Sequence, residues 1–230
     1  MLEYILIIVI VCIIYYILHN RVHNKLLINE KQYTYQDIPT VIPHFITKDE
    51  ADYIKENCTS FVKSDVVKDE TNDDQYKGRM SETCWLEHRN DEKLKNIVTK
   101  ACKITHMPYE NCELLQVVKY GKGGYYDPHY DTTYNTDTNN TSQNEFHNRG
   151  GHRVITIIIA LCNPDEYNGG ETYFTKIDKN YKMNKGDALL FYNVTPNGEL
   201  NILSEHTGKA LDSGEKMISN IWIRQSEFNR

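Results

Sequence analysis

The chain has 230 residues, enough for one domain with extensions, and 40% apolar content is sufficient for a buried core. With 26 Lys and Arg against 32 Asp and Glu, the net charge is −6, which argues against a broad phosphate-binding surface, so no nucleic-acid partner is expected. The six cysteines (Cys12, Cys58, Cys84, Cys102, Cys112 and Cys162) contain no Cys-x-x-C pair, which argues against a zinc knuckle or a thioredoxin-type site.

The N-terminus, "MLEYILIIVIVCIIYYILHNRVHNK", is uncharged and almost wholly apolar from Tyr4 to Leu18. Fifteen helical residues span about 22 Å, short of a ~30 Å hydrocarbon core. Tyr15, Tyr16 and His19 extend the stretch into the interface. A cleaved signal peptide would carry a positive leading region and a small-residue cleavage site, whereas Glu3 precedes this run and no such site follows. The expectation is an uncleaved single-pass membrane anchor over 1–24 and a polar tether over 25–41. Arg21 and Lys25 follow the span and would keep that side cytoplasmic.

Residues 42–230 are read as one domain. Thr47 with Glu50 three residues on is a capping-box signature, and Ala51, Ile54, Cys58 and Phe61 follow at near-helical spacing. A second helix fits "NDEKLKNIVTKACKITHM", with Leu94, Ile97, Val98, Ala101 and Ile104 on one stripe. From Leu114 the texture changes to short β-branched or aromatic runs: "LLQVVKY", "RVITIIIALC", "ALLFYNV" and "KMISNIWIR". Turn-like "NPDEYNGGE" and "NKGD" separate them. Helices first and strands later predict an α+β chain with a β-sandwich or barrel core. Two long polar segments, Lys68–Gly78 and Thr132–His152, are functional lids or plain insertions. Cysteines in such a domain can bond in an oxidising compartment, but sequence does not pair them.

"YGKGGYYDPHYD" ends in His129-Tyr130-Asp131. On a strand, residues two apart share a face, with Cα atoms roughly 6.6 Å apart. Imidazole and carboxylate form a mixed N/O donor set suited to a borderline divalent metal, although the bland reading is a surface His beside an Asp. A two-His, one-carboxylate triad needs a third ligand, and His206, at the end of a strand-like run and before Gly208, is the best of the nine histidines. Lys216 opens "KMISNIWIR" and shares a face with Ile218, Asn220 and Trp222. That face is expected to be buried, and a buried ammonium needs an anion, from the protein or from a bound carboxylate.

Taken together, "ELLQVVKYGKGGYYDPHYD", "RVITIIIALCNPDEYNGGETYF", "KGDALLFYN", "HTGKALDSGEKMISNIWIR" and "RMSETCWL" resemble the prolyl 4-hydroxylase family of iron(II)- and 2-oxoglutarate-dependent dioxygenases. The resemblance runs from about Ile42 to Arg224. It implies a double-stranded β-helix, jelly-roll-like, with flanking helices. It implies iron held by His129, Asp131 and His206, with Lys216 on the distal carboxylate of 2-oxoglutarate, Tyr120 assisting and Thr172 touching the co-substrate. Arg79, Arg153 and Trp222 match positions near peptide or co-substrate. It also implies dioxygen as the second co-substrate and ascorbate as the accessory reductant. The implied reaction is hydroxylation of peptidyl proline, with collagen-like repeats among the substrates, in the secretory pathway or endoplasmic reticulum. That location opposes the flanking charges of the anchor, so the orientation stays open. Thr207, Lys209, Ala210 and Leu211 depart from the family's small-residue and Pro-Val pattern, which loosens the subfamily assignment. Rival readings are a lysyl or other protein hydroxylase, a zinc hydrolase on the same donor set, and a silent binding module.

Overall fold

A computed structural model describes residues 35–64, 78–132 and 149–229. The hydrophobic N-terminal stretch, the tether up to residue 34 and most of both long polar segments lie outside the described residues. Among the described residues no helix is long and apolar enough to cross a membrane.

In chain order the elements are β1 (Thr40–Ile42), α1 (Lys48–Asn57), β2 (Val62–Lys63), β3 (Arg79–Met80), β4 (Glu82–Leu86) and α2 (Glu92–Thr105). Then follow β5 (Leu115–Tyr120), β6 (Tyr125–His129), β7 (Arg153–Ala160), β8 (Tyr167–Gly169), β9 (Thr172–Phe174) and β10 (Lys179–Tyr181). The chain closes with β11 (Ala188–Tyr192), β12 (His206–Gly208), β13 (Leu211–Gly214) and β14 (Lys216–Arg224). The capping box forms as expected: Thr47 Oγ1 accepts from the Glu50 amide, and Glu50 accepts from the Thr47 amide. Asp91 caps α2 through the Leu94 amide at 2.9 Å. Strands are not confined to the second half, because β1 to β4 precede or flank the helices. "RMSETCWL" supplies two of them, with Thr83 and Cys84 buried by pairing beside β5.

The strands build two main antiparallel sheets. The larger runs β1-β11-β7-β14-β5-β4-β2 and the smaller β10-β9-β12-β6-β3, with a β13-β8 pair beside them. Mostly β, with two layers and few helices, this agrees with the jelly-roll-like fold expected.

The central strands read as unbroken apolar runs because both of their faces are covered. Pleating sorts each strand into two sets. Ile155, Ile157 and Ile159 of β7, Leu115 and Val117 of β5, and Ile221 and Ile223 of β14 pack under the helices, against Ala51, Ile54, Leu94 and Ile97. The alternate residues, including Val118, Tyr120, Ile158, Ala160 and Ile218, face the smaller sheet and meet Phe174, Phe191 and Leu211. The inward face of the larger sheet therefore carries Gln116, Thr156, Lys216, Asn220 and Trp222 as polar groups in an otherwise apolar sandwich, all buried. A disulfide joins Cys58, at the end of α1, to Cys84 on β4.

Candidate active site

Between the sheets lies a cavity of about 420 Å³ whose walls include His129, Asp131, His206, Lys216, Tyr120, Thr172, Arg79, Arg153 and Trp222. All nine residues singled out from the sequence thus meet at one place. β6 and β12 are hydrogen-bonded neighbours with His129 directly opposite His206, so strand register brings the two imidazoles together. Their ring centroids are 4.3 Å apart.

Asp131 reaches them by a different route from the one the pleat suggested. β6 ends at His129, and Asp131 sits in the bend beyond it. Its carboxylate is returned to the cavity by hydrogen bonds: Thr156 Oγ1 donates to Oδ2 at 2.7 Å, and Trp222 Nε1 donates to the same oxygen at 3.1 Å. Asn193 Nδ2 in turn donates to Thr156 Oγ1 at 2.9 Å. Asp131 Oδ1 lies 3.6 Å from His129 Nε2, and Oδ2 lies 4.0 Å from His206 Nε2.

Whether the three residues suit a metal is decided by their remaining atoms. His129 Nδ1 faces the Asp127 carbonyl at 2.7 Å, and His206 Nδ1 faces the Ser204 carbonyl at 2.9 Å. A carbonyl only accepts, so each Nδ1 carries a proton, and each ring when neutral directs an Nε2 lone pair at the cavity. Two imidazole nitrogens and a carboxylate, all ligand atoms within 4.8 Å of one another, form a facial donor set for a borderline divalent ion such as iron(II). The electrostatics agree. Burial opposes ionisation of Asp131, but the His206 and His129 imidazoles and the Arg153 guanidinium outweigh it and hold its carboxyl below the usual range. Burial first, then His129, lowers His206 to about 4, which favours the neutral ring a metal needs. Phe174 and Phe191 pack around His206, while Tyr126 stacks on His129 at 3.5 Å.

Lys216 starts β14 opposite Tyr120 and is 6% exposed. Its Nζ donates to the Gly170 carbonyl at 2.6 Å and sits 5.5 Å from the Tyr120 ring centroid. Gly170 has φ of 68°, and a Cβ there would lie 2.6 Å from Leu211 Cδ1, so "NGGE" turns as it does only with glycine. No carboxylate forms an ion pair with Lys216 among the described residues. Burial lowers it to about 8, the mark of an ammonium short of a counter-ion.

The remaining residues form a supporting wall. Arg153 binds Glu113 through two nitrogens, at 2.5 and 2.8 Å, and its guanidinium lies 3.5 Å from the Trp222 ring centroid. Arg224 Nε also donates to Glu113, at 2.8 Å. Arg79 lies over the Tyr126 ring and donates to Ser81 Oγ at 2.8 Å. Sequence reasoning passed over Thr156, Glu113 and Tyr126. Thr156 carried a signal, being the lone hydroxyl inside an isoleucine run, and Glu113 was an acidic residue against an apolar strand.

Comparison with known proteins shows the family. Residues 115–224 match the model of the 2OG-Fe(II) oxygenase superfamily. A prolyl 4-hydroxylase-like protein of Acanthamoeba polyphaga mimivirus is 35% identical over 152 residues, covering 66% of this chain and 60% of the relative, so the chain spans only part of that protein's length. Prolyl 4-hydroxylase 5 of Arabidopsis thaliana is 32% identical over 210 residues, covering 82% of this chain and 68% of that one. The crystal structure of a viral collagen prolyl hydroxylase from Paramecium Bursaria Chlorella virus-1, bound to 2OG, superposes with a TM-score of 0.61 at 26% identity, covering 80% of this chain and 94% of that one. The chain belongs to the prolyl 4-hydroxylase family within the 2OG-Fe(II) oxygenases.

Proposed function

We propose that this chain is an iron(II)- and 2-oxoglutarate-dependent dioxygenase that hydroxylates peptidyl proline to 4-hydroxyproline. One observation supports this most: a single cavity contains a His-Asp-His set with two free Nε2 atoms and a buried lysine with no carboxylate partner among the described residues. Zinc accepts the same donors, but a zinc hydrolase gives Lys216 no task. The relatives' names carry the proline specificity, and the viral structure makes collagen-like repeats the first peptides to test.

In this reading His129, Asp131 and His206 hold the metal, and Lys216, with Tyr120 and Thr172 beside it, holds the distal carboxylate of 2-oxoglutarate. When bound, iron(II) with 2-oxoglutarate and dioxygen supplies an oxidant for an unactivated C–H bond, with succinate and carbon dioxide as products. Thr156 and Trp222 fix the carboxylate that would otherwise swing in its bend, and the Asp127 and Ser204 carbonyls fix both imidazole tautomers. The aromatic and aliphatic walls exclude water from the reacting centre. Ascorbate is the accessory reductant that the resemblance implies.

Replacing His129, Asp131 or His206 by Ala should abolish both iron retention and turnover while leaving the fold largely intact. Turnover is read as a one-oxygen gain on proline in a peptide panel by mass spectrometry. Near-normal activity with bound iron in any of the three variants would sink the ligand assignment.

The proposed organisation is an anchor over 1–24, a tether over 25–41 and the catalytic domain over 42–230, single-pass in the membrane of the secretory pathway. A chain beginning near Ile28 should then be soluble and active, while the full chain needs detergent. Full-length protein with an intact N-terminus in a carbonate-washed soluble fraction would overturn the anchor. Asn57, Asn139, Asn140 and Asn193 head Asn-x-Ser/Thr sequons; Asn139 and Asn140 lie outside the described residues, and a glycan on either would mark the domain as lumenal. Asn193 is fully buried and occupied by Thr156, so a glycan there is incompatible with the fold.

A further inference from the structure

Away from the cavity, two thiols that the proposed chemistry does not use lie against each other. Cys102 is on the last turn of α2, and Cys112 is two residues before Leu114, where the chain enters β5. Their sulfurs are 3.3 Å apart, and the residues are 6% and 0% exposed. The ten-residue separation is taken up by a compact turn. The Met107 amide closes on the Cys102 carbonyl at 3.1 Å, and a 3-10 turn over Tyr109–Asn111 returns the Cys112 amide to the Tyr109 carbonyl at 3.1 Å. Cys112 also bridges Ile223 of β14, so its place in the sheet is set. Cys162 provides the contrast: it too is buried, but its sulfur meets the Met217 backbone and no thiol.

We propose that Cys102 and Cys112 form a second disulfide, which staples the C-terminal turn of α2 to the strand entering the catalytic sheet. The gap to a bonded pair is about 1.3 Å, within the reach of side-chain rotation. The chain already carries one disulfide, Cys58–Cys84, so the environment that makes the first permits the second. In the folding chain neither thiol is yet enclosed, and either can be the first to attack. As a thiolate, the first attacks a low-molecular-weight disulfide of the glutathione type, and one small thiol leaves. The other then loses its proton and displaces the second small thiol. The protein pair gives up two electrons, and the small disulfide becomes two thiols. Both sulfurs are enclosed in the folded domain, so the exchange belongs to the folding chain, before α2 docks.

The test uses the full chain in detergent, refolded from the reduced state in excess oxidised glutathione, then denatured and alkylated without reductant. Peptide mapping should find Cys102 and Cys112 linked, two hydrogens lighter than the free pair, with Cys12 and Cys162 alkylated. Alkyl groups on both Cys102 and Cys112, or a bond from either to another cysteine, would overturn the proposal. A second measurement separates cross-link from packing. The Cys102→Ser/Cys112→Ser variant should melt several degrees below wild type in oxidant and together with it in reductant. A gap that persists in reductant, or no gap in oxidant, counts against the staple.

Discussion

Lys216→Met should melt at a higher temperature than the wild-type chain and at the same time lose its affinity for 2-oxoglutarate. The two effects share one cause. Burial lowers Lys216 from 10.5 to about 8, so folding disfavours its charged form by about 3 kcal/mol at neutral pH. The sign follows from proton counting: between about 8 and 10.5 the unfolded chain holds a proton that the folded chain has released. The penalty is therefore complete below about 8 and is relieved as pH rises to 10.5. Methionine fills similar volume with no charge, so its gain should be seen at pH 7 and fade by pH 10.5. The loss comes from the proposed partner. Removing one member of a buried, hydrogen-bonded charge pair costs about 2–5 kcal/mol, which is roughly 30-fold to several-thousand-fold in affinity. Iron binding should be unchanged. In the wild type, 2-oxoglutarate affinity should fall as pH rises through about 8, as the ammonium discharges. Titrating 2-oxoglutarate into the iron-loaded variant decides the matter: affinity within twofold of wild type would remove the co-substrate role. Lys216→Arg should be intermediate, because it keeps the charge but needs more room.

What sequence made legible here is what strand periodicity and spacing encode. The inward face of β14 could be read directly, because Lys216, Ile218, Asn220 and Trp222 alternate with Met217, Ser219 and Ile221, and the structure turns the first set to the cavity. Both helices were legible from their caps and apolar stripes. Three features were not. The short strands β3 and β4 carry little pattern of their own and exist because β6 and β5 offer edges to pair with. Asp131 was expected in line on a strand with His129, yet the strand stops first and the carboxylate is placed by Thr156 and Trp222, residues 25 and 91 positions away. Spacing alone carries no record of such partners. The Cys58–Cys84 bond likewise depends on where α1 ends against β4, a tertiary fact.

The same long-range dependence makes Glu113→Gln a severe substitution away from the proposed metal ligands in sequence. Glu113 is 4% exposed, and its carboxylate takes Arg153 on two oxygens and Arg224 on one. Its side chain and those of Arg153 and Arg224 are 5%, 24% and 11% exposed, so solvent screens these contacts little. Two guanidiniums held near one another by a single carboxylate lose the ion pair they share when it is neutralised. Breaking a buried pair in this way costs about 3–5 kcal/mol, because the remaining charge is left uncompensated. For a domain of this size that is a fall of roughly 6–20 °C in melting temperature. The consequence should also reach the metal. Arg153 lies on the Trp222 ring, and Trp222 donates to Asp131 Oδ2, so the carboxylate that anchors Arg153 stands three contacts behind the Asp131 carboxylate proposed to bind the metal. The amide variant should therefore bind iron more weakly even well below its melting temperature, while Arg224→Gln, which leaves the Arg153 pair whole, should lower stability and spare iron affinity. A Glu113→Gln protein that melts within a degree of wild type would show that these contacts contribute nothing net. Equal iron affinity in the two variants would break the proposed link from Glu113 to Asp131.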